Sequence, residues 1–548
     1  MNQRPWHASH GSAPTEIDAD AYPSVVAMME AAMVAFADRP AFKCFGQTLS
    51  YADVDRLSRH FAAYLQSRLG VRKGDRIALM TPNFMAFPIA FLGIARVGAV
   101  QVNVNPLYTP RELEHQLRDS GAEILIVFSG VSATVAEVLC KPDALSLLQT
   151  VMTIGPGDGT TAALPSPPVD ARLQGTIAFA QALVDGENLP FVPVALGGED
   201  LLFLQYTGGT TGLSKGAALT HRNLVANVQQ FKAIVADNLR PGEEVIVTAI
   251  PLYHIFALMV NFITYFSVGA ENWLVPNPRD MDGFIDVLKA SRCTVLTGVN
   301  TLFAGVAAHP RAKEIDFARL RMAAGGGSAI LEATSAKWKA LSGCFIREGY
   351  GMSETSPVIS FNLASAQSYN GTTGVPLPST DVILLKDDGT EAAQGDAGEV
   401  CVKGPQVMRG YWQQPQANAE AFTADGYFRT GDVGLFTPDG LLKLVDRKKD
   451  MINVSGFNVF PNEIEGVATA CPGVLECACV GVPDEKTGEA AKLYVVRAPG
   501  AELSAEQVIE HCRSELTAYK VPKLVAFIEA LPKSTVGKIL RRELRQTV

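Results

Sequence analysis

A chain of 548 residues is too long to fold around one ordinary hydrophobic core, so two or more domains are expected. With 47% hydrophobic and 19% charged residues it is typical of a well-buried globular protein, which excludes extensive disorder. The formal net charge of -9 argues against a general nucleic-acid binder, because phosphate backbones are bound mainly through clustered lysine and arginine.

Residues 1–20 lack the basic and apolar pattern of an export signal. The nine cysteines fall at irregular spacings with no C-x-x-C, a pattern that favours neither a zinc site nor a disulfide framework. We therefore expect a cytoplasmic protein in which disorder is limited to the N-terminal stretch.

Apolar segments alternate with helical patterns through the first half of the chain. Strands are predicted at 76–80, 123–128 and 245–250, and helices at 51–69 and 110–120. The second helix has Thr109 as N-cap, Pro110 at its first position and Glu112 to complete a capping box. This alternation predicts α/β layers with mostly parallel sheets.

The segment 206–216, YTGGTTGLSKG, follows an apolar strand predicted at 201–205. Backbone amides, threonine and serine hydroxyls and the Lys215 ammonium are groups that bind phosphate oxygens. Because Ser214 precedes Lys215 and Gly216 follows it, this is not the loop of P-loop NTPases. A different class of phosphate-binding loop is predicted, and so many donors without a carboxylate disfavour a simple flexible turn.

The apolar stretch 250–268 carries no formal charge and approaches the length of a membrane span. Proline and polar residues interrupt it, and glycine-rich loops surround it. A buried helix is therefore predicted instead of a transmembrane one.

The pattern changes in the second half of the chain. Turn signals at 387–389 and 438–440, with a strand predicted at 440–446, indicate an antiparallel β-rich section. The charged segment DRKKD at 446–450 predicts a hinge at 446–448, with Asp446 as the hinge residue, between domains 1–445 and 446–548. The second of these is expected to be a small α+β domain, whose last long helix begins with a capping box at Ser504 and Gln507.

With the loop at 206–216, the chain resembles the adenylate-forming superfamily of acyl-CoA synthetases, peptide-synthetase adenylation domains and beetle luciferases. Further blocks match in the expected order: AGGG (324–327), GYGMSE (349–354), YFRTGD (427–432), DRKKD (446–450) and PKSTVGK (532–538). The segments QYTGGTT (205–211), PLYHIF (251–256) and VSGFNV (454–459) are most similar to bacterial long-chain fatty-acid CoA ligases. The resemblance covers nearly the whole chain and implies a large α/β N-terminal domain with a β-rich section and a small mobile α+β C-terminal domain.

The resemblance also implies a reaction, the ATP-dependent ligation of a long-chain fatty acid to coenzyme A with release of AMP and pyrophosphate. A carboxylate is a poor acyl donor, and attack on the α-phosphorus of ATP converts it into a reactive acyl-adenylate. Three alternatives stay open: a medium-chain or aryl acid, transfer to an acyl-carrier protein, and a non-catalytic acyl or nucleotide sensor.

Catalytic roles are implied for Lys538, Glu354 and His254. Lys538 would enter the site to neutralise the carboxylate and α-phosphate, although a basic tail can also be merely solvated. Glu354, helped by Thr207, would hold Mg²⁺. His254 would orient the acid, and a satisfied core histidine is the equal alternative.

Nucleotide binding is implied for a larger set, in which Asp432 accepts hydrogen bonds from the ribose with help from Arg447 and the Tyr350 ring stacks on adenine. The set is Thr207, Gly208, Gly209, Thr210, Thr211, Lys215, Gly325, Gly326, Gly327, Tyr350, Gly351, Ser353, Asp432 and Arg447. Gly208 and Ser353 stand where relatives usually carry Ser and Thr, and they leave enough donors for these roles.

Coenzyme A and the acyl chain are assigned by the same resemblance. Ser455, Gly456 and Phe457 would line the approach of the thiol, although many relatives carry Lys at the position of Ser455. Phe256, Met259 and Phe262 would line an acyl tunnel, which core packing explains equally well. Peripheral contact with the inner face of a membrane and homodimerisation stay open.

Overall fold

The computed structural model describes residues 4–141, 148–207, 214–455, 457–484, 486–534 and 537–546. It has a large N-terminal domain of several sheets and a small α+β C-terminal domain. The predicted site residues Gly208, Gly209, Thr210, Thr211 and Gly456 lie outside the described residues.

The strands of the described chain are β1 (Pro40–Cys44), β2 (Gln47–Ser50), β3 (Arg76–Met80), β4 (Val100–Asn103), β5 (Ile124–Phe128), β6 (Thr150–Ile154), β7 (Ile177–Ala178), β8 (Leu201–Tyr206), β9 (Gly216–Thr220), β10 (Val245–Thr248), β11 (Glu271–Leu274), β12 (Val295–Gly298), β13 (Met322–Gly325), β14 (Ile346–Gly351), β15 (Val358–Phe361), β16 (Val375–Pro376), β17 (Asp381–Leu385), β18 (Gly398–Lys403), β19 (Gly410–Tyr411), β20 (Phe428–Phe436), β21 (Leu442–Arg447), β22 (Ile452–Val454), β23 (Phe457–Val459), β24 (Val474–Asp484), β25 (Gly488–Arg497) and β26 (Leu524–Phe527).

The helices of the described chain are α1 (Val25–Ala35), α2 (Tyr51–Ser67), α3 (Ala86–Arg96), α4 (Pro110–Ser120), α5 (Ser132–Leu139), α6 (Phe179–Gly186), α7 (His221–Ile234), α8 (Tyr265–Ser267), α9 (Met281–Ser291), α10 (Asn300–Ala308), α11 (Glu332–Ser342), α12 (Pro415–Ala421), α13 (Pro461–Ala470), α14 (Ala505–Glu515) and α15 (Arg541–Gln546). A π-helix, Phe256–Thr264, precedes α8, and short 3₁₀ turns include Ser353–Thr355.

Two largely parallel sheets form the body of the N-terminal domain. The first has the order β19-β9-β8-β4-β3-β5-β6-β7, and the second has the order β16-β15-β14-β13-β12-β10-β11-β1-β2. In the first sheet, β8 and β9 are antiparallel neighbours, so the predicted phosphate loop connects them. In the second, β12, β13 and β14 run parallel, so their carboxyl ends share one edge, where ligands commonly bind in open α/β sheets.

Local sequence signals account for several elements. Helix α4 has the predicted bounds, and the Thr109 side chain accepts from the Glu112 N–H while the Glu112 carboxylate accepts from the Thr109 N–H. Strand β3 also has its predicted bounds. Helix α2 ends two residues earlier than predicted, at Ser67, and the strand expected at 440–446 is Leu442–Arg447.

The apolar stretch 250–268 forms the π-helix and α8 inside the domain. Phe262 is fully buried and packs against the rings of Phe42, Phe91 and Phe266. In the described part of the chain, no helix combines the length and the hydropathy needed to cross a membrane. The predicted buried helix is confirmed, whereas its π-helical form was not anticipated.

An antiparallel sheet, β17-β18-β20-β21, follows the body of the N-terminal domain. The described part of the N-terminal stretch packs against it, contrary to the expectation that disorder is found there. Arg4 pairs with Asp381 at 2.7 Å, and the buried Trp6 ring stacks on Phe436 at 4.9 Å between centroids. Burial of a large aromatic side chain and a charge pair fixes this segment against β17 and β20.

The C-terminal domain has the strand order β23-β22-β25-β24, with β26 parallel to β25 and helices α13, α14 and α15 packed on the sheet. Asp446, the predicted hinge residue, lies in β21 with its side chain buried. Its carboxylate accepts from the backbone N–H of Asn462 at 2.9 Å and lies 3.7 Å from the Arg541 guanidinium. Arg541 also pairs with Glu465 at 2.8 Å, so the end of β21 is tied to both α13 and α15.

Candidate active site

Asp432 and Arg447 are side by side in the antiparallel sheet. They are directly opposite residues of β20 and β21, and the Arg447 Nε lies 3.3 Å from Asp432 Oδ1. Tyr350, at the end of β14, donates its hydroxyl to Asp432 Oδ2 at 2.6 Å. The predicted nucleotide residues from the second sheet and the antiparallel sheet are thus brought together around one buried carboxylate.

Lys538, which belongs to the C-terminal domain, also lies near Asp432 and Arg447. Burial and the neighbouring Arg447 charge together lower its pKa to about 8, and the Asp432 charge opposes both effects. A Cβ added at Gly537, whose φ is +79°, would lie 2.8 Å from Thr301 Oγ1 and 3.1 Å from Val299 Cγ2. The turn that carries Lys538 therefore docks directly on Val299 and on the first turn of α10.

His254 lies close enough to Lys538 for the two charges to interact. Burial lowers the pKa of His254 to about 4, and the charge of Lys538 acts in the same direction. The His254 Nδ1 accepts from the Phe256 N–H at 3.3 Å, which makes Nε2 the protonated nitrogen of the neutral ring. A neutral imidazole can donate one hydrogen bond to a carboxylate placed beside Lys538.

Glu354 is a buried carboxylate in the Ser353–Thr355 turn, which packs against β8 and β9. Burial raises its pKa, and hydrogen bonds with its own backbone and Tyr411 oppose that shift. The Tyr411 hydroxyl donates to Glu354 Oε1 at 2.8 Å. A carboxyl group whose negative charge is penalised by burial suits a nearby cation.

The donor set around Glu354 fits a hard cation such as Mg²⁺, which prefers oxygen ligands. Thr207 follows β8, and its backbone N–H donates to the Lys215 carbonyl at 3.1 Å. Within the described ranges, no three His, Cys, Asp or Glu side chains cluster in a way that could hold a metal ion. Glu354 and the Thr207 hydroxyl are the oxygen groups that the sequence assigns to such a cation.

Helix α4 flanks both ends of the predicted phosphate loop. The Tyr206 hydroxyl donates to Asp119 at 2.5 Å before the loop, and His115 Nε2 contacts the Ser214 carbonyl at 2.9 Å after it. Sequence reasoning assigned α4 no part in the site, because its contacts at the two ends of the loop join residues 87 and 99 positions apart.

The glycines at the ends of β13 and β14 allow close approach of backbone and side chains. A Cβ at Gly326 would lie 3.3 Å from the Phe256 ring and 3.4 Å from the Gly349 carbonyl, and one at Gly351 would collide with the Pro357 carbonyl at 2.1 Å. Phe256 is thus placed beside the glycine segment that precedes α11. By contrast, Met259 and Phe262 are completely buried in the main core.

The residues expected to meet coenzyme A lie on the C-terminal domain. Ser455 has a φ of +53°, and its N–H donates to the Thr487 carbonyl at 2.8 Å. Phe457 is 55% exposed and stacks on Tyr519 at 4.6 Å between centroids. The structure does not bring these residues into the group formed by Lys538, Asp432 and Arg447.

Lys449 is a further basic group that sequence reasoning left out. It lies near Arg447, Asp450 and Asp432, and burial lowers its pKa to about 8. Its position two residues after Arg447 in the predicted hinge segment was the available signal. Arg447 pairs with Asp432 at 3.3 Å, and the charges of Lys449 and Lys538 also interact with that of Asp432.

Comparison with known protein families decides the assignment. Residues 29–412 match the AMP-binding enzyme family, and residues 463–538 match the AMP-binding enzyme C-terminal domain. This chain belongs to the AMP-binding enzyme family. As a member of that family it is an adenylate-forming enzyme, and the resemblance inferred from its motifs is confirmed.

The relatives of this AMP-binding enzyme include a long-chain-fatty-acid–CoA ligase from Salmonella typhimurium, 47% identical over 539 residues that cover 97% of this chain and 96% of the relative. A long-chain-fatty-acid–CoA ligase from Escherichia coli O6:H1 is 46% identical with the same coverage. Among solved structures, ATP-bound MatB from Rhodopseudomonas palustris is 30% identical, with a TM-score of 0.83 and coverage of 96% of this chain and 99% of that one. The predicted fold class is confirmed by this likeness.

Proposed function

We propose that this AMP-binding enzyme joins a long-chain fatty acid to coenzyme A through an enzyme-bound acyl-adenylate. The observation that carries the proposal is the place of Lys538, which a separate domain delivers to the group formed by His254, Asp432 and Arg447. Near-complete coverage of relatives named long-chain-fatty-acid–CoA ligase supports the choice of acid and acceptor.

In the first half-reaction, the fatty-acid carboxylate attacks the α-phosphorus of ATP and pyrophosphate leaves. Asp432 accepts hydrogen bonds from the ribose hydroxyls, while Lys538 and Arg447 place positive charge beside the carboxylate and the α-phosphate. His254 donates from Nε2 to the carboxylate and orients it for attack. Mg²⁺, held by Glu354 and Thr207, would neutralise charge on the phosphates.

In the second half-reaction, the thiol of coenzyme A attacks the acyl carbonyl and AMP leaves. In the arrangement described above, Lys538 lies near Asp432, Arg447 and His254, where we propose that the adenylate binds. We therefore infer that the C-terminal domain rotates about residues 446–448 before the thiol enters. Ser455, Gly456 and Phe457 then line the approach of the pantetheine chain. Phe256, Met259 and Phe262 are the residues that we assign to the wall of the acyl tunnel, with core packing as the alternative for the fully buried Met259 and Phe262.

The test is a steady-state comparison of acids from octanoate to stearate, with benzoate as an aryl control, in which AMP formation is measured with and without coenzyme A. We expect kcat/KM for long-chain acids to exceed that for octanoate by at least about tenfold, because each buried methylene adds binding energy. A preference for benzoate would contradict the fatty-acid assignment. Failure of every acid to release AMP would favour the non-catalytic sensor.

Two further predictions concern the surroundings of the enzyme. The first is that the enzyme works in the cytoplasm and contacts the inner face of a membrane peripherally through its basic C-terminal segment. The second prediction is that the enzyme forms a homodimer. Co-sedimentation with anionic vesicles at low and high salt tests the first, and light scattering of the purified chain tests the second.

A further inference from the structure

Tyr411 contacts two of the groups proposed to bind ATP. Its hydroxyl donates to Glu354 Oε1 at 2.8 Å, and the Lys215 ammonium lies 5.2 Å from the centre of its ring. The sequence motifs of the site do not include Tyr411. One neutral side chain therefore lies against an acid and a base that have opposite charges.

The backbone holds Tyr411 firmly in this place. Tyr411 pairs with Ala217 in the β19–β9 ladder, which continues directly from the predicted phosphate loop. Its N–H donates to Asn418 Oδ1 at 2.7 Å, and Asn418 Nδ2 donates back to the Tyr411 carbonyl at 3.0 Å. The Met408 N–H also donates to the Glu354 carbonyl at 2.8 Å, so the same segment fixes the backbone of Glu354.

An intervening neutral group has a clear physical use at this position. Glu354 is buried and Lys215 is exposed, so their attraction is screened on one side. A direct pair between them would nevertheless turn both groups away from the substrate. The tyrosine hydroxyl occupies one acceptor site of the carboxylate, and the ring face attracts the ammonium without neutralising it. Each charge then keeps free capacity for a ligand.

We propose that Tyr411 is a positioning residue that keeps the Glu354 carboxylate and the Lys215 ammonium apart, so that the first stays available to Mg²⁺ and the second to the phosphates of ATP. This inference rests on the proposed roles of Glu354 and Lys215 in binding ATP. In this proposal Tyr411 contacts neither the carboxylate of the acid nor the α-phosphorus of ATP, and it acts only through Glu354 and Lys215.

Two substitutions separate the two contacts of Tyr411. Tyr411→Phe removes the hydroxyl and keeps the ring, whereas Tyr411→Leu removes both. The measurement is calorimetric ATP binding to the full chain without fatty acid, at zero and at saturating Mg²⁺, so that it does not depend on turnover.

For Tyr411→Phe we expect ATP affinity without Mg²⁺ to stay within about twofold of the unsubstituted enzyme, because the ring contact with Lys215 is retained. The gain in ATP affinity on adding Mg²⁺ should fall by about tenfold, since Glu354 loses the hydrogen bond that orients it. Tyr411→Leu should also lose roughly threefold or more in affinity without Mg²⁺.

Tyr427→Phe is the matched control, because the Tyr427 hydroxyl donates to Asp381 at 2.6 Å in the antiparallel sheet, away from Glu354 and Lys215. It should bind ATP like the unsubstituted enzyme under both conditions. An unchanged Mg²⁺ response in Tyr411→Phe would overturn the role of Tyr411. Tyr411→Phe keeps the packing of the ring, so its result decides the matter even if Tyr411→Leu does not fold. If the unsubstituted enzyme itself did not bind ATP, the proposed function would be wrong instead.

Discussion

The ammonium of Lys538 gives the first half-reaction a pH dependence of its own. Burial and the Arg447 charge lower its pKa to about 8, so the proton is lost as pH rises through that value. We expect kcat/KM for adenylation to fall above about pH 8, because this parameter follows ionisations of the free enzyme. Pyrophosphate exchange measured between pH 6 and pH 10 checks this.

Variants at Lys538 isolate that effect. Lys538→Ala should lower adenylation by about a hundredfold or more at every pH, while transfer from supplied acyl-AMP to coenzyme A is largely kept. Lys538→Arg should lose the fall above pH 8, because a guanidinium stays charged. If Lys538→Ala lost both half-reactions equally, the proposal that Lys538 acts in adenylation and not in transfer to coenzyme A would be wrong.

Glu348 on β14 affects stability at high pH. Burial raises its pKa to about 8, and its Oε1 accepts from the Ile330 N–H at 3.1 Å next to α11. A carboxyl whose pKa is raised on folding contributes its full stability below the unfolded pKa, and that stability is lost as pH rises through about 8. Glu348→Gln keeps the oxygen acceptor and cannot ionise.

We therefore expect the difference in Tm between Glu348→Gln and the unsubstituted enzyme to be larger at pH 9 than at pH 5, in favour of the variant, by at least about 2 °C. That is the shift in Tm that roughly 1 kcal/mol produces in a large domain. Scanning calorimetry at the two pH values measures it. The exposed Glu420→Gln is the control for loss of one carboxylate, and its Tm difference should not change with pH. A constant difference for Glu348→Gln would mean that Glu348 stays ionised in the fold.

At the scale of elements, the end of β21 is the place where rotation of the C-terminal domain can be tested. Asp446→Pro restricts φ at the predicted hinge, and Asp446→Ala removes the same side-chain contacts without that restriction. We expect the proline variant to form acyl-AMP at a rate near that of the alanine variant and to transfer it to coenzyme A at least about tenfold more slowly. Rapid-quench measurement of both steps decides it, and an equal ratio of the two rates in both variants would place the pivot elsewhere.

Elements defined by local signals were predictable, and those defined by distant packing were not. The capping box at Thr109 satisfies backbone groups locally and gives α4 its first residue, and the apolar run at Arg76–Met80 gives β3 its bounds, although β4 and β5 supply its backbone partners. The π-helix Phe256–Thr264 differs, since Asn261 within it donates to Thr248 on β10 and to Thr297 on β12. Only the folded sheet supplies those partners, so the sequence predicted a buried helix and not its type.

For the whole molecule, motif order predicted the family and most of the candidate site, while the arrangement of sheets determined the rest. Tyr411 was missed because its partners Glu354 and Lys215 are 57 and 196 positions away. The packing of Arg4 and Trp6 against the antiparallel sheet was not predicted for a similar reason. The polar composition of the N-terminal stretch suggests disorder, and the sequence alone does not show that Asp381 and Phe436 contact it. The roles of the site residues stay predictions that the experiments above test.

The close seating of Gly537 on Val299 and Thr301 leaves no room for even one added carbon. A small molecule bound between Gly537 and these two residues would keep the C-terminal domain, and with it the ammonium of Lys538, away from the proposed nucleotide site. Such an inhibitor would compete with a movement of the protein instead of with nucleotide, acid or thiol. ATP and the fatty acid, which act with Lys538 docked, would oppose such an inhibitor only by shifting the position of the domain, without sharing its site.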